Sequence, residues 1–196
     1  MDVARKLTTV RTAPRPGFSS FTQETLATWR EINTAKHFLE LADRLEPLLR
    51  TLPQLLHHIA HILQHIHDAL TIDAALSLDA ILMLLPAVAR DLQQDFLPWL
   101  GPTVSRLHTL LDAGADADAE LLGAVVRCLS SLSKHLAPHL APDPSLLLSA
   151  TRGLRHHAAD HVRVLAAEAV APLLRQCQPD AMRAALVVLL RGMVGG

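Results

Sequence analysis

The chain has 196 residues, half of them hydrophobic, and its 18 Lys and Arg against 19 Asp and Glu leave a formal charge of −1. Leucine occurs 39 times, whereas Tyr is absent and Phe and Trp number only 4 and 2; the core is therefore expected to be aliphatic and helical, and all-β classes are excluded. The length suggests a single domain with ample material for a core.

Residues 1–33 read as an N-terminal segment made of a loop and an opening helix. Arg5, Lys6, Arg11 and Arg15 outweigh Asp2 there, as in a mitochondrial presequence, but Pro14 and Pro16 break any long amphipathic helix. From residue 34 onward the periodicity is helical. Thr34 is placed to cap a helix whose apolar side is Phe38, Leu41, Ala42 and Leu45, ending near Pro47. From Pro53 to Leu70 the positions Leu55, Ile59, Ile62, Leu63, Ile66 and Leu70 share one face, and proline opens the first turn. Helices over 73–92 and 96–111 follow and form a hairpin, closed by a polar turn around Gly114. Asp118 then caps a run carrying Leu121, Leu122, Val125, Leu129, Leu132 and Leu136, which is expected to stop before Pro138. The stretch Ala137 to Pro144 contains Pro138, Pro142 and Pro144 and reads as a connection to a short helix over 145–154. A last pair spans 158–177 and 179–193, with Pro179 in an opening turn.

About eight helices in consecutive pairs, repeating at roughly 40 residues, is the period of HEAT and armadillo hairpins. The predicted fold is therefore an all-α solenoid of about four HEAT-like hairpins over 34–196, with a compact helical bundle as the alternative. The most consensus-like unit runs from Asp160 through Arg163, Ala166 and Ala167 to Leu173 and Leu174. Its small residues allow close helix approach, and Arg163 and Asp160 are expected to pair across stacked repeats. Pro86 and Pro172 fall late in the first helices of two repeats, where HEAT units commonly kink.

Cys128 and Cys177 belong to no C-x-x-C pair or zinc spacing, so a reducing compartment is the plain reading. The longest uninterrupted apolar run, Ala80 to Ala89, falls far short of the roughly 20 residues that cross a bilayer, and no membrane association is expected. His57, His58, His61, His65 and His67 include pairs at the i, i+4 spacing that chelates metals. However, His58, His61 and His65 lie opposite the leucine and isoleucine face, and that helix supplies no Glu or Cys, so a solvated face is expected and no metal site is assigned. Asp112, Asp116, Asp118 and Glu120 do not follow the order of a calcium loop around Gly114 and read as a capped turn. The most basic cluster, Arg152, Arg155, His156, His157 and His161 with Arg163 nearby, is the candidate contact for a phosphate or an acidic partner. No nucleophile elbow, phosphate-binding loop, dinucleotide fingerprint or metalloprotease helix occurs; no catalytic residue, cofactor or small-molecule substrate is expected. With so few aromatics there is no stacking platform for single-stranded RNA, and RNA contact would run through backbone charge.

Four segments, in order, resemble the N-terminal region of the down-regulated-in-metastasis family, very large HEAT-repeat proteins of the small-subunit processome. The first is Trp29-Arg30-Glu31-Ile32-Asn33 with His37-Phe38. The second, and most specific, runs from Leu85 to Pro98 and includes Ala89-Arg90-Asp91-Leu92-Gln93-Gln94-Asp95-Phe96-Leu97-Pro98. The third is Glu120-Leu121-Leu122 through Leu129 to Leu136. The fourth is His161-Val162-Arg163 with Ala166-Ala167-Glu168 and Leu173-Leu174-Arg175. The resemblance marks Trp29, Arg30, Arg90, Asp91, Gln93, Asp95, Phe96, Pro98, Arg163 and Glu168 as family-like positions. It implies nucleolar scaffolding among processome proteins, in support of small-subunit rRNA maturation, and brings no catalytic residues with it. That family continues for many more repeats, so the chain is expected to be a fragment. A generic HEAT adaptor in transport or trafficking would share the repeats but not the Arg90 to Pro98 signature, and a metal-dependent enzyme would need a further ligand near His61 and His65.

Overall fold

The structure, a computed structural model, describes residues 11–113, 119–156 and 160–194, and every regular element among them is helical. In order these are α1 (Phe21–Ile32), α2 (Lys36–Leu45), α3 (Leu52–His57), α4 (Ile59–Ala69), α5 (Leu78–Leu92), α6 (Leu97–Ala113), α7 (Ala119–Leu140), α8 (Ser145–Ala150), α9 (Arg152–Arg155), α10 (Asp160–Leu174) and α11 (Pro179–Val194). No helix among the described residues is long and apolar enough to cross a membrane.

The helices stack in two layers. α1 packs on α5, α5 on α7 and α7 on α10, the last two contacts being the most extensive among the described residues. On the other side α8 packs against both α6 and α11, and α2 lies against α4. This is the solenoid-like, all-α arrangement expected from the repeat spacing. α5 sits between α1 and α7, which is why it is buried nearly all round, from Leu78, Ala80, Ile81 and Leu82 through Leu84, Leu85, Val88 and Ala89 to Leu92. One contiguous aliphatic core runs from Leu26 to Ala185, and Phe38 and Phe96 are fully buried in it.

Several boundaries differ from the sequence expectation, each for a local reason. Thr34 does not cap α2. Ala35 occupies that position without a side-chain cap, and the Asn33 Oδ1 accepts the Ala35 N–H instead, at 2.9 Å. The helix expected over 53–70 divides at His58 (φ −102°, ψ 14°), yet the His58 and Ile62 amides still bond to Gln54 and His58 carbonyls, so the apolar face continues across the break. Residues 72–77 form a 3-10 turn before α5, and residues 93–96 form another before α6.

α7 does not stop before Pro138. It runs through that residue to Leu140, because Pro138 is exposed whereas Leu136, Ala137 and Leu140 are buried, and burying Leu140 outweighs one missing backbone hydrogen bond. The helix expected over 145–154 bends at Thr151. The buried Thr151 hydroxyl donates to the Leu147 carbonyl at 2.9 Å beside the Thr151 amide, which bonds the same carbonyl at 2.9 Å, so the shared acceptor bends the helix without breaking its ladder. Asp118, expected to cap α7, and the turn at Gly114 lie outside the described residues.

Candidate interaction sites

The most specific sequence segment, Ala89 to Pro98, is a fastening between repeats. α5 ends at Gln93, which takes a positive φ of 50° and so turns the chain sharply into the 3-10 turn. Just before it, Asp91 in the last turn of α5 meets the start of α1. Its carboxylate accepts the Phe21 N–H at 2.9 Å, the Thr22 N–H at 2.7 Å and the Thr22 hydroxyl at 2.7 Å. A carboxylate at a helix N-terminus satisfies amides that have no intrahelical partner and opposes the helix dipole favourably. Ser20 caps the same helix from within by accepting the Gln23 N–H at 3.0 Å.

Arg90 reaches across the same joint. Its guanidinium carbon lies 3.6 Å from the Phe21 ring centroid, and it donates to the Arg11 carbonyl. Burial, and then the neighbouring Arg11 charge, push its pKa down from the ordinary arginine value. Gln93 donates to the Arg90 carbonyl at 2.6 Å and contacts His139 of α7 at 3.1 Å. Phe96 is fully buried, and Asp95 and Pro98 face solvent. The segment thus ties α1, α5 and α7 together.

Of the other family-like positions, Trp29, Arg30 and Arg163 are placed on packing or ion pairs. Trp29 is half-buried against the core. Arg30 bridges Asp43 at 2.6 Å and Glu46 at 2.5 Å, joining α1 to the end of α2. Arg163 pairs with Asp160 one turn away on its own helix. Glu168 is exposed.

Glu24 is a residue the sequence reading passed over. It is 5% exposed, takes both oxygens to the Arg11 guanidinium at 2.8 Å, and accepts from the Arg15 amide and side chain at 3.0 Å. Burial pulls its pKa upward, but the Arg15 amide and the two arginine charges prevail and hold it below the ordinary carboxylate value. The signal available in the sequence was a lone Glu one turn into a helix downstream of two arginines.

The basic turn is only partly collected. Arg152 and His156 are exposed, Arg155 is half-buried and donates to the Leu148 carbonyl, and its buried Nε has no partner among the described residues. Burial, with Arg152 beside it, lowers the Arg155 pKa. His157 and the His161 side chain lie outside the described residues. Among the histidines of α3 and α4, His57 and His61 are exposed and His58 and His65 half-buried; the His57 and His58 rings stand 4.7 Å apart. No group of three potential metal ligands converges among the described residues. His67 differs from its neighbours: it contacts the buried Thr103 hydroxyl of α6 at 3.0 Å while its carbonyl accepts from the Arg106 Nε at 2.9 Å, and burial, then Arg106, lower its pKa.

Two further titratable groups are set by the core. The thiol of fully buried Cys128 is pushed far above its ordinary value by burial. His135 of α7 is pushed down to about 4, first by burial and then by the charges of Arg90 and Lys134.

No family model matches the chain. It is homologous to the U3 small nucleolar RNA-associated protein 20 of Saccharomyces cerevisiae, to which it is 29% identical over 156 residues, 79% of its length. It is 27% identical over 142 residues, 72% of its length, to the protein of that name in Schizosaccharomyces pombe. The match covers 6% of either relative, so the chain spans a small part of the length of the curated proteins it matches.

Proposed function

We propose that this chain, homologous along most of its length to a U3 small nucleolar RNA-associated protein, is a non-catalytic scaffold section of the small-subunit processome. In this reading it works in the nucleolus and supports pre-rRNA processing and biogenesis of the small ribosomal subunit. The observation that carries it is the identity of 29% over 156 residues with the yeast protein. Stacked hairpins support the scaffold role because they present an extended surface whose parts need not move relative to one another.

The division of labour follows from charge. A net charge of −1 and six aromatics, 4 Phe and 2 Trp, provide little pull on bare RNA and few stacking surfaces. Protein partners then fix the position of this section, and pre-rRNA is met through backbone charge. Residues 34–196 form the solenoid in this reading, with 1–33 as an N-terminal segment. The turn at Arg152, Arg155, His156, His157 and His161 is the contact for a phosphate or an acidic partner.

The test is expression of the tagged chain in Saccharomyces cerevisiae. Nucleolar accumulation and enrichment of U3 RNA with small-subunit rRNA precursors in the purified material are expected. A diffuse cytoplasmic distribution, with transport proteins recovered in place of U3 RNA, would favour a generic adaptor and overturn this reading.

A further inference from the structure

A cavity of about 260 Å³ opens between α1 and the 3-10 turn Glu46–Leu48 that follows α2. Its floor is apolar, formed by Phe18, Leu26 and Leu49, and its rim carries Arg30, Glu46 and Arg50. The volume falls below the roughly 300–1,000 Å³ of sites that enclose a small-molecule ligand, which suits a single side chain. The two rim arginines differ. Arg30 is immobilised by Asp43 and Glu46 at 2.6 and 2.5 Å. The Arg50 backbone is anchored, its carbonyl accepting the Ser19 hydroxyl at 2.9 Å, while its exposed guanidinium has no acidic partner among the described residues. An apolar hole whose mouth holds a cation unpaired among the described residues is the recognition pattern for an apolar anchor next to a carboxylate.

We propose that this cavity is a docking site for a peptide segment of a partner protein, one that inserts an aliphatic side chain between α1 and the turn and sets an Asp or Glu against Arg50. Charge argues against one alternative occupant and the lining of the cavity against another. The chain's own residues 1–10 carry Arg5 and Lys6 against Asp2 and would bring like charge to Arg50. Phe18 is the one aromatic ring among the described residues that line the cavity, so an RNA base finds little stacking surface there, whereas an aliphatic side chain finds Leu26, Ala27 and Leu49. The site is built by this chain alone, so the proposal stands apart from the processome reading and is tested without it.

The experiment is fluorescence anisotropy on the purified full chain with a short fluorescein-labelled peptide carrying one Leu between Asp and Glu residues. Saturable binding with Kd on the order of 10–100 μM is expected, in keeping with one anchor and one ion pair. Replacing the probe's Leu by Ala, filling the cavity with Ala27→Leu, or reversing the rim charge with Arg50→Glu each weakens binding about tenfold. A Lys-flanked version of the probe recovers affinity only for Arg50→Glu. Melting curves of both variants, each at a position that is not buried, show that the fold is kept. Absence of saturable binding, binding indifferent to Ala27→Leu and Arg50→Glu, or a labelled oligouridine that binds as well and with the same sensitivity overturns the proposal.

Discussion

Asp91 illustrates how one side chain on a neighbouring repeat replaces local capping. Its three hydrogen bonds to Phe21 and Thr22 involve a charge and a helix N-terminus, so Asp91→Ala is expected to cost about 2 kcal/mol, and Asp91→Asn about half that, in urea unfolding. A second residue-scale prediction concerns pH. His135 stays neutral in the fold down to about 4, whereas the unfolded chain takes up that proton near the ordinary value of 6.5. The unfolded state then binds more protons across that window, so stability is full above pH 6.5 and falls as the pH drops toward 4. His67, lowered by burial, acts in the same direction, and Glu24, held below the ordinary 4.5, adds a further loss when the pH falls below that value. Urea midpoints measured from pH 4 to 8 are expected to follow this profile, with His135→Gln flattening the part between 6.5 and 4. None of these partners was legible in the sequence. Asp91 and Phe21 are 70 positions apart, and no periodicity links a carboxylate to a cap so distant.

The helices themselves were legible wherever an apolar face repeated at helical spacing, as in the buried run Ile62, Leu63, Ile66 and Leu70. Breaks and ends were not, because they turn on which neighbour a residue meets. Proline at 138 reads as a stop, yet Leu140 beyond it is 1% exposed, and tertiary burial carries the helix past the breaker. Pro138→Ala is therefore expected to stabilise the protein by about 1 kcal/mol, since position 138 is solvent-facing and alanine restores the amide that can bond to the Lys134 carbonyl. Unchanged or lowered stability in thermal unfolding would show that the helix geometry at this turn depends on the proline ring. Thr151 shows the opposite failure. Nothing in the apolar pattern of 145–154 predicts a bend, but the buried Thr151 hydroxyl shares the Leu147 carbonyl with its own amide there.

For the molecule as a whole, the contiguous core from Leu26 to Ala185 predicts a single cooperative unfolding transition, even though neighbour-to-neighbour stacking permits unravelling from an end. Trp29 in α1 and Trp99 in α6 are its two tryptophans. Single-tryptophan variants, each with the other replaced by Phe, are expected to report coincident urea midpoints. Leu85→Ala, at a fully buried position of the central helix α5, should lower both by an amount equivalent to about 2–5 kcal/mol, whereas separated transitions would mark independent sub-stacks. Composition and periodicity by themselves determined that the chain is all-helical, aliphatic-cored and built from hairpins, because those features follow from the spacing of apolar residues along a single helix. Only the tertiary structure decided that the Arg90 to Pro98 segment serves as a clasp on α1, that Glu24 gathers Arg11 and Arg15, and that Arg50 stands beside an apolar cavity with no acidic partner among the described residues. The reason is physical: the direction, burial and charge partners of a side chain are set by elements far away in sequence, and a local pattern of hydrophobicity carries no information about which of them will be brought alongside.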